Sequence, residues 1–130
     1  MKKEQLKIIV ESLIDITEKA GKKTIELYSS GLKIIKKPDE SPVTNGDLEV
    51  DKMLKEKIKE LTPDIPIISE ESVNLKIRNT LKTYWLLDPI DGTKEYISGK
   101  DFYTLNAGLI IDCLPSLGII GVPKKNRLFY

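Results

Sequence analysis

The chain has 130 residues, the length of one domain of ordinary size, and it contains no histidine. The absence of histidine excludes Ser-His and Cys-His nucleophilic catalysis and every metal site that needs a histidine ligand. A single cysteine, Cys113, excludes an intramolecular disulfide. Lysine and arginine number 21 against 20 acidic residues, and the resulting net charge of +1 argues against nucleic acid as a partner.

The hydropathy of the chain is that of a soluble globular protein, with 40% hydrophobic and 32% charged residues. No apolar run approaches the roughly 20 residues that span a bilayer. Charged residues such as Glu4 and Lys7 interrupt the apolar core that a signal peptide needs. We therefore expect the chain to act in the cytoplasm, with peripheral contact with the inner membrane as an open alternative.

Two long segments have the three-and-four spacing of apolar residues that is typical of amphipathic helices. The first covers residues 6–28 and is followed by the helix-ending sequence Ser-Ser-Gly. The second covers residues 44–61 and is followed by Thr-Pro-Asp. The spacing therefore predicts two helices, each with one apolar face toward a shared core.

Shorter apolar and β-branched segments between and after the helices predict strands. The predicted strands cover residues 32–37, 65–69, 84–87, 104–111, 117–122 and 128–130. Residues 38–42 are predicted to form a loop, and the lysine-rich residues 74–83 a loop or short helix. Cys113 lies in an apolar pattern without a nearby base, which predicts a buried structural thiol rather than a nucleophile.

The most informative segment joins a predicted strand to a sharp turn. Asp88 lies at the end of the strand, and Pro89 fixes the backbone there by locking φ. Asp91 follows three residues later, and Gly92 permits a sharp turn. Such a turn can direct two carboxylates and the Ile90 carbonyl toward one point, and hard cations such as Mg²⁺ prefer oxygen ligands of this kind.

Further polar residues could join this site. A helix that begins near Gly92 would direct free N–H groups at a phosphate, and the Thr93 hydroxyl could orient water. Glu70 follows a predicted strand and Asp47 follows Thr44 at a predicted helix start. Several carboxylates that converge without histidine would repel one another, and divalent cations would relieve that repulsion.

Each acidic residue also has an ordinary structural interpretation. An Asp-Gly pair is common in turns, and an Asp or Thr before a helix is a common cap. Glu70 and Asp47, taken alone, are typical of surface or capping residues. The combination of the three segments favours a functional site.

Residues 88–93, with the sequence Asp-Pro-Ile-Asp-Gly-Thr, resemble the signature of the inositol monophosphatase-like phosphatases, which are Mg²⁺-dependent and sensitive to lithium. Residues 41–44 with Asp47, and residues 70–72, have the order and spacing of two further motifs of that family. Residues 94–96, Lys-Glu-Tyr, resemble the bisphosphate nucleotidase branch of the family, the CysQ type.

The resemblance implies roles for individual residues. The implied metal ligands are the side chains of Glu70, Asp88 and Asp91 and the carbonyl of Ile90. Asp47 and Thr93 are implied to polarise the attacking water. The residues implied to bind substrate are Glu70, Ile90, Asp91, Gly92 and Thr93, with the backbone of the last two holding the phosphate. Two or more Mg²⁺ ions are implied as cofactors and Li⁺ as an inhibitor.

The resemblance also implies an α+β fold, the N-terminal half of the layered αβαβα sugar-phosphatase fold, with two long helices on a mostly antiparallel sheet. Residues 1–130 would form a single metal-binding domain, and the C-terminal half of the family's fold is absent from the sequence. Gly46 stands where the family commonly has alanine, a change expected only to soften the helix start.

The implied activity is removal of the 3′-phosphate of adenosine 3′,5′-bisphosphate or a related phosphoadenylyl nucleotide by metal-activated water. An inositol or sugar monophosphatase is the alternative within the family. A non-catalytic remnant that binds metal or a partner chain is the alternative of another class. We expect the chain alone to be inactive, with a homo-oligomer or a C-terminal half supplied in trans as its protein partner.

Overall fold

The computed structural model describes residues 1–70 and 80–130. The helices in this part of the chain are α1 (Lys3–Ser30), α2 (Asn45–Leu61) and the short α3 (Thr93–Ile97), and a 3-10 turn covers Pro123–Lys125. The strands are β1 (Ile34–Lys36), β2 (Pro42–Thr44), β3 (Ile67–Ser69), β4 (Tyr84–Asp91), β5 (Thr104–Ile111), β6 (Leu114–Val122) and β7 (Arg127–Phe129). No helix among these residues is long and apolar enough to cross a membrane.

Strands β3 to β7 form one five-stranded sheet in chain order. β3 runs parallel to β4, and every other neighbouring pair in this sheet is antiparallel. β1 and β2 form a separate antiparallel hairpin. Two long helices with a mostly antiparallel sheet make the α+β fold that the resemblance implies.

Both long helices pack on the same face of the sheet, with α1 against β6 and α2 against β4. Alternate residues of the strands supply the sheet side of the core, because successive side chains of a strand point to opposite faces. The core residues that the helices contribute are Ile9, Leu13, Ala20, Val50, Leu54 and Ile58. Those that β4, β5 and β6 contribute are Trp85, Leu87, Ile90, Leu105, Ala107, Leu109 and Ile119.

The far end of α2 is tied to the start of β4 by a buried hydroxyl. The Trp85 Nε1 atom donates a hydrogen bond to Thr62 Oγ1 at 3.0 Å, and that hydroxyl donates to the Ile58 carbonyl at 3.0 Å. The predicted end of this helix at residue 61 is therefore confirmed.

Several strand boundaries differ from those predicted. The predicted loop 38–42 separates two strands of a hairpin, because β2 at its end pairs with β1. Ile34 and Ile35 in β1 are more than half exposed, at 54% and 53%, although their sequence is that of a core strand. β4 continues through Pro89 to Asp91, four residues beyond its predicted end. Most of the predicted loop or helix 74–83 lies outside the described residues.

The prediction of a buried thiol at Cys113 is wrong. Cys113 is exposed and occupies the tight turn between β5 and β6, where Asp112 and Cys113 have φ angles of 49° and 66°. Two consecutive positive φ angles are typical of a two-residue hairpin turn that suits the twist of the strands. The apolar pattern misled the prediction because it resumes at Cys113, directly after Asp112, and continues into β6, which begins at Leu114 and includes Pro115.

We expect the Cys113 thiol to react with a disulfide reagent in the native protein. Its exposure predicts complete labelling at a rate within a few-fold of that in urea, measured by release of the coloured thiolate. Cys113→Ser removes the only thiol and is the blank. Labelling that begins only when the protein unfolds would contradict the exposed turn.

Candidate active site

The predicted acidic segment lies where the pairing of β4 with β5 is interrupted. Asp88 lies opposite Asn106, and the register shifts before Asp91, the next paired residue of β4. Pro89 and Ile90 occupy the interruption with both side chains buried. Irregularities of this kind often lie next to active sites because they change the direction of the following side chains. Here the following side chain, Asp91, is exposed.

The predicted turn and helix start after Asp91 are confirmed. Gly92 has φ of +90°, which L side chains rarely adopt, and α3 begins at Thr93. A Cβ at Gly92 would also lie 3.3 Å from the Tyr103 backbone. Gly92 is therefore needed for the local backbone geometry, independent of any chemistry.

Asp47 and Thr93, separated by 46 residues in sequence, are brought into direct contact. The Thr93 hydroxyl donates a hydrogen bond to Asp47 Oδ1 at 2.8 Å. Asp47 Oδ2 accepts from the Thr44 backbone N–H at 2.9 Å and from the Thr44 hydroxyl at 2.5 Å. Asp47 is completely buried, so these donors replace the water that the carboxylate has lost. It is both part of the capping box of α2 and a partner of the Asp-Gly-Thr turn.

The Thr93 hydroxyl has a second acceptor nearby, the Ile90 carbonyl, at 3.3 Å. A hydroxyl has one proton to donate and two lone pairs that accept. The shorter distance assigns the proton to Asp47. The lone pairs of Thr93 Oγ1 can then accept a hydrogen bond from a water molecule.

Two of the predicted metal ligands lie where the parallel pairing of β3 with β4 ends. Ser69 of β3 pairs with Leu87 of β4, so Glu70 and Asp88 follow these partners at the same edge of the sheet. The side chain of Glu70 is exposed. Residues 71 and 72 of the same motif lie outside the described part of the chain.

The predicted donors fit a hard cation in chemistry, since all are carboxylate or carbonyl oxygens. Within the described residues, however, no group of three or more acidic or cysteine side chains is gathered closely enough to hold a metal ion. In the described part of the chain the predicted ligands are therefore not gathered into a closed cage. An ion held by Asp88, Asp91 and the Ile90 carbonyl would need further ligands from water, substrate or other residues.

Asp51, one turn after Asp47 on α2, is a buried acidic residue that the sequence analysis did not identify. Its Oδ1 atom accepts a short hydrogen bond from the hydroxyl of Ser69, and its Oδ2 atom lies 2.9 Å from Lys55 Nζ. The available signal was the four-residue spacing from Asp47, which places both carboxylates on one helix face.

Two buried tyrosines, Tyr96 of α3 and Tyr103 before β5, connect α3 and the following segment to α1. The Tyr96 hydroxyl donates to the Thr24 carbonyl of α1 at 2.6 Å, and the Tyr103 hydroxyl lies 2.8 Å from Thr24 Oγ1. The ring centroids of Tyr96 and Tyr103 are 4.7 Å apart. Burial raises the pKa of Tyr96, and the nearby Tyr103 and Asp47 raise it further. Tyr96 therefore remains a neutral hydrogen-bond donor.

Gly46 does more than soften the start of α2, contrary to the prediction. A Cβ atom at this position would lie 2.7 Å from both Cε2 and the hydroxyl oxygen of Tyr96. Because Gly46 has no side chain, the Tyr96 ring can pack directly against the backbone that precedes Asp47.

The sequence profile of the inositol monophosphatase family matches residues 5–130, so the chain belongs to this family, whose members are phosphoric monoester hydrolases. Among its curated relatives, the 3′(2′),5′-bisphosphate nucleotidase CysQ of Aggregatibacter actinomycetemcomitans is 36% identical over 124 residues. That match covers 94% of this chain and 46% of the relative. The CysQ nucleotidase of Buchnera aphidicola is also 36% identical, over 93% of this chain and 47% of the relative.

Solved structures of the family have the same fold. A staphylococcal inositol monophosphatase in a lithium-inhibited complex matches with a TM-score of 0.84 at 20% identity, covering 95% of this chain and 47% of that one. An inositol monophosphatase of Thermotoga maritima matches with a TM-score of 0.80 at 24% identity, over 92% and 46% of the two chains. The chain thus spans about half the length of the relatives it matches.

We expect Gly46→Ala to destabilise the protein, because the new methyl group would overlap the Tyr96 ring. Overpacking of a buried contact costs about 1–3 kcal/mol, which a urea melt resolves. Tyr96→Phe alone should also destabilise, since the buried hydrogen bond from its hydroxyl to the Thr24 carbonyl is lost. The double variant should lose less than the sum, because a ring without its hydroxyl bond can move away from the methyl group.

Gly108→Ala is the control for this pair, since a Cβ there would lie 3.8 Å from its nearest neighbour, an ordinary contact. Additive losses in the Gly46 and Tyr96 variants would show that the two residues are independent.

Proposed function

We propose that the chain is the metal- and water-binding half of a Mg²⁺-dependent phosphatase that removes the 3′-phosphate of adenosine 3′,5′-bisphosphate or a related nucleotide. The observation that carries the proposal is the partly buried hydrogen bond between Asp47 and Thr93, in the turn after β4, the strand that the register of β3 places with Asp88 beside Glu70. The identity with the CysQ nucleotidases over more than nine-tenths of this chain supports the substrate class.

The residues that would hold Mg²⁺ are Glu70, Asp88, Asp91 and the Ile90 carbonyl, with two or more ions at the site. Bound Mg²⁺ would offset the negative charge of the transferring phosphoryl group and make water a stronger acid. The oxygen-only donor set supports this choice of ion. A family structure that contains Mg²⁺ and phosphate, and another soaked with lithium chloride, support Mg²⁺ as cofactor and Li⁺ as inhibitor.

Thr93 and Asp47 would orient the attacking water. Because the Thr93 proton points to Asp47, the lone pairs of Thr93 Oγ1 can accept a hydrogen bond from the water. The nucleophilic lone pairs of the water oxygen then face away from Asp47 and Thr93. Positioning a nucleophile in this way lowers the barrier by reducing its freedom before reaction. When the water gives a proton to Thr93 Oγ1, the Thr93 hydroxyl can pass its own proton to the Asp47 carboxylate.

The proposed substrate class competes with inositol and sugar phosphates. Family structures with inositol monophosphate, with 2′AMP and with NADP are known, so the fold accommodates several phosphate esters. The CysQ relatives are 36% identical to this chain and the two inositol monophosphatase structures 20% and 24%, which favours the nucleotide. A comparison of phosphate release from adenosine 3′,5′-bisphosphate and from inositol 1-phosphate would separate the two.

The second face of the sheet is the proposed contact for a protein partner. Opposite the helices lies an open groove of about 550 Å³ that includes Leu86, Ile120 and Phe129. Ile120 and Phe129 are 44% and 56% exposed. Since exposed apolar patches of this kind are typical of interaction sites, we propose that a C-terminal half covers this face, in the same chain or in trans. A second copy of the chain is the alternative occupant.

We expect millimolar Mg²⁺ or Mn²⁺ to raise the melting temperature of the protein. An ion at ten times its dissociation constant would stabilise the folded state by about 1.4 kcal/mol, an increase of several degrees in a domain of this size. Asp91→Asn should abolish most of this increase. Glu60→Gln, which alters an exposed carboxylate far along α2, should retain it. An equal increase in both variants would indicate non-specific binding and contradict the site.

In a full-length context, or with a C-terminal half supplied, we expect Mg²⁺-dependent phosphate release that both Asp47→Asn and Thr93→Ala reduce about 100-fold or more in kcat. KM should change little, because the pair acts on water. The double variant should be little worse than either single variant, since the two residues act as one unit. Multiplicative losses would contradict a shared water. Asp112→Asn, in the exposed hairpin turn, is the control.

A further inference from the structure

Helix α2 contacts the two candidate ligand segments through two carboxylates that are one turn apart. Asp47 accepts a hydrogen bond from Thr93, in the turn that follows β4. Asp51 accepts a hydrogen bond from Ser69, the last residue of β3. Residues four apart lie on the same side of a helix, so a single rigid helix face contacts both segments.

The bond between Ser69 and Asp51 is buried on both sides. Ser69 is completely buried, and Asp51 is only 9% exposed. A carboxylate buried to this extent is costly unless it is hydrogen-bonded and its charge is compensated. The Ser69 hydroxyl meets the first requirement and Lys55, 2.9 Å from Asp51 Oδ2, meets the second. The buried Asp51 carboxylate therefore has both the hydrogen bond and the compensating charge that its burial requires.

We infer that Ser69 and Asp51 are positioning residues that hold Glu70 in place at the metal site. Glu70 is the next residue after Ser69, so the bond to α2 fixes the backbone from which the Glu70 side chain extends. The register of β3 with β4 places this backbone beside Asp88. This inference rests on the proposed function in so far as Glu70 is a metal ligand.

Lys55 contributes by allowing Asp51 to stay buried as a carboxylate. Its ammonium group lies on the next turn of α2 and is mostly buried, with 22% of its side chain exposed. Asp47, in contrast, is stabilised by hydrogen bonds that Thr44 and Thr93 donate to its carboxylate. The two acidic residues are therefore stabilised by different means and can be altered separately.

The test uses Ser69→Ala and Asp51→Ala with two readouts. The first is the dissociation constant for Mn²⁺, measured from the spin-resonance signal of free Mn²⁺. We expect about tenfold weaker binding in either variant, the lower end of the range for residues that orient metal ligands from outside. The second is the backbone order parameter of Glu70 in metal-free protein, which should fall from its wild-type value toward the flexible range below about 0.6. The double variant should match either single variant, because both remove the same bond.

Thr62→Ala is the matched control. It also removes a buried hydroxyl that joins α2 to a strand, but at the end of the helix far from the site. It should lower the melting temperature as Ser69→Ala does, without changing Mn²⁺ affinity or the order parameter of Glu70. If Thr62→Ala weakens Mn²⁺ binding equally, the effect is one of general stability and the inference is wrong.

The two readouts separate failure of this inference from failure of the proposed function. Wild-type protein that binds Mn²⁺, with Ser69→Ala unchanged in both readouts, overturns the positioning role and leaves the metal site intact. Wild-type protein that binds no Mn²⁺ refutes the proposed ligand set, and the order parameter then decides the positioning role alone. Asp51→Ala is not essential to this decision, so its failure to fold would leave the Ser69 comparison valid.

Discussion

The carboxylate of Asp47 is fully buried, and the surrounding structure is arranged to satisfy it. Thr44 supplies two donors from the residue that caps α2, and Thr93 supplies one from the turn after β4. Loss of any of these donors would leave a buried charge only partly solvated, which costs more than an ordinary hydrogen bond contributes. This requirement fixes the start of α2 against the end of β4, and the remaining contacts of the site depend on that placement.

The pair of buried tyrosines explains how so short a helix as α3 can hold Thr93 in position. Five residues cannot form a stable helix on their own, so α3 depends on packing for its order. Tyr96 provides that packing by filling the space beside Gly46 and by donating to the Thr24 carbonyl of α1. The first helix, which contributes no predicted metal ligand, thereby supports the candidate active site through one buried side chain.

The sequence was sufficient to predict the helices, most strands and the turn at Gly92, because these depend on local spacing and on φ preferences. It was also sufficient to group Asp47 with Thr93, although only through resemblance to a family. It could not reveal the hydrogen bond of Asp51 to Ser69 or of Tyr96 to Thr24, since both bonds join residues far apart in the chain. The error at Cys113 has a local cause, an apolar pattern that resumes at the second residue of a two-residue turn and continues into the next strand.

The interruption at Pro89 and Ile90 also determines how the site relates to the two faces of the sheet. Asp88 lies on the open face, in the groove with Ile120 and Phe129, whereas Asp47 and Thr93 lie on the side of the helices. The residues of the candidate site therefore border both faces, and a partner that covers the groove would also exclude water from Asp88. Charges interact more strongly where water is excluded, so covering this face would strengthen the attraction between Asp88 and a cation. At the proposed metal site, metal binding and the burial of the open face would in this way be coupled through a single carboxylate.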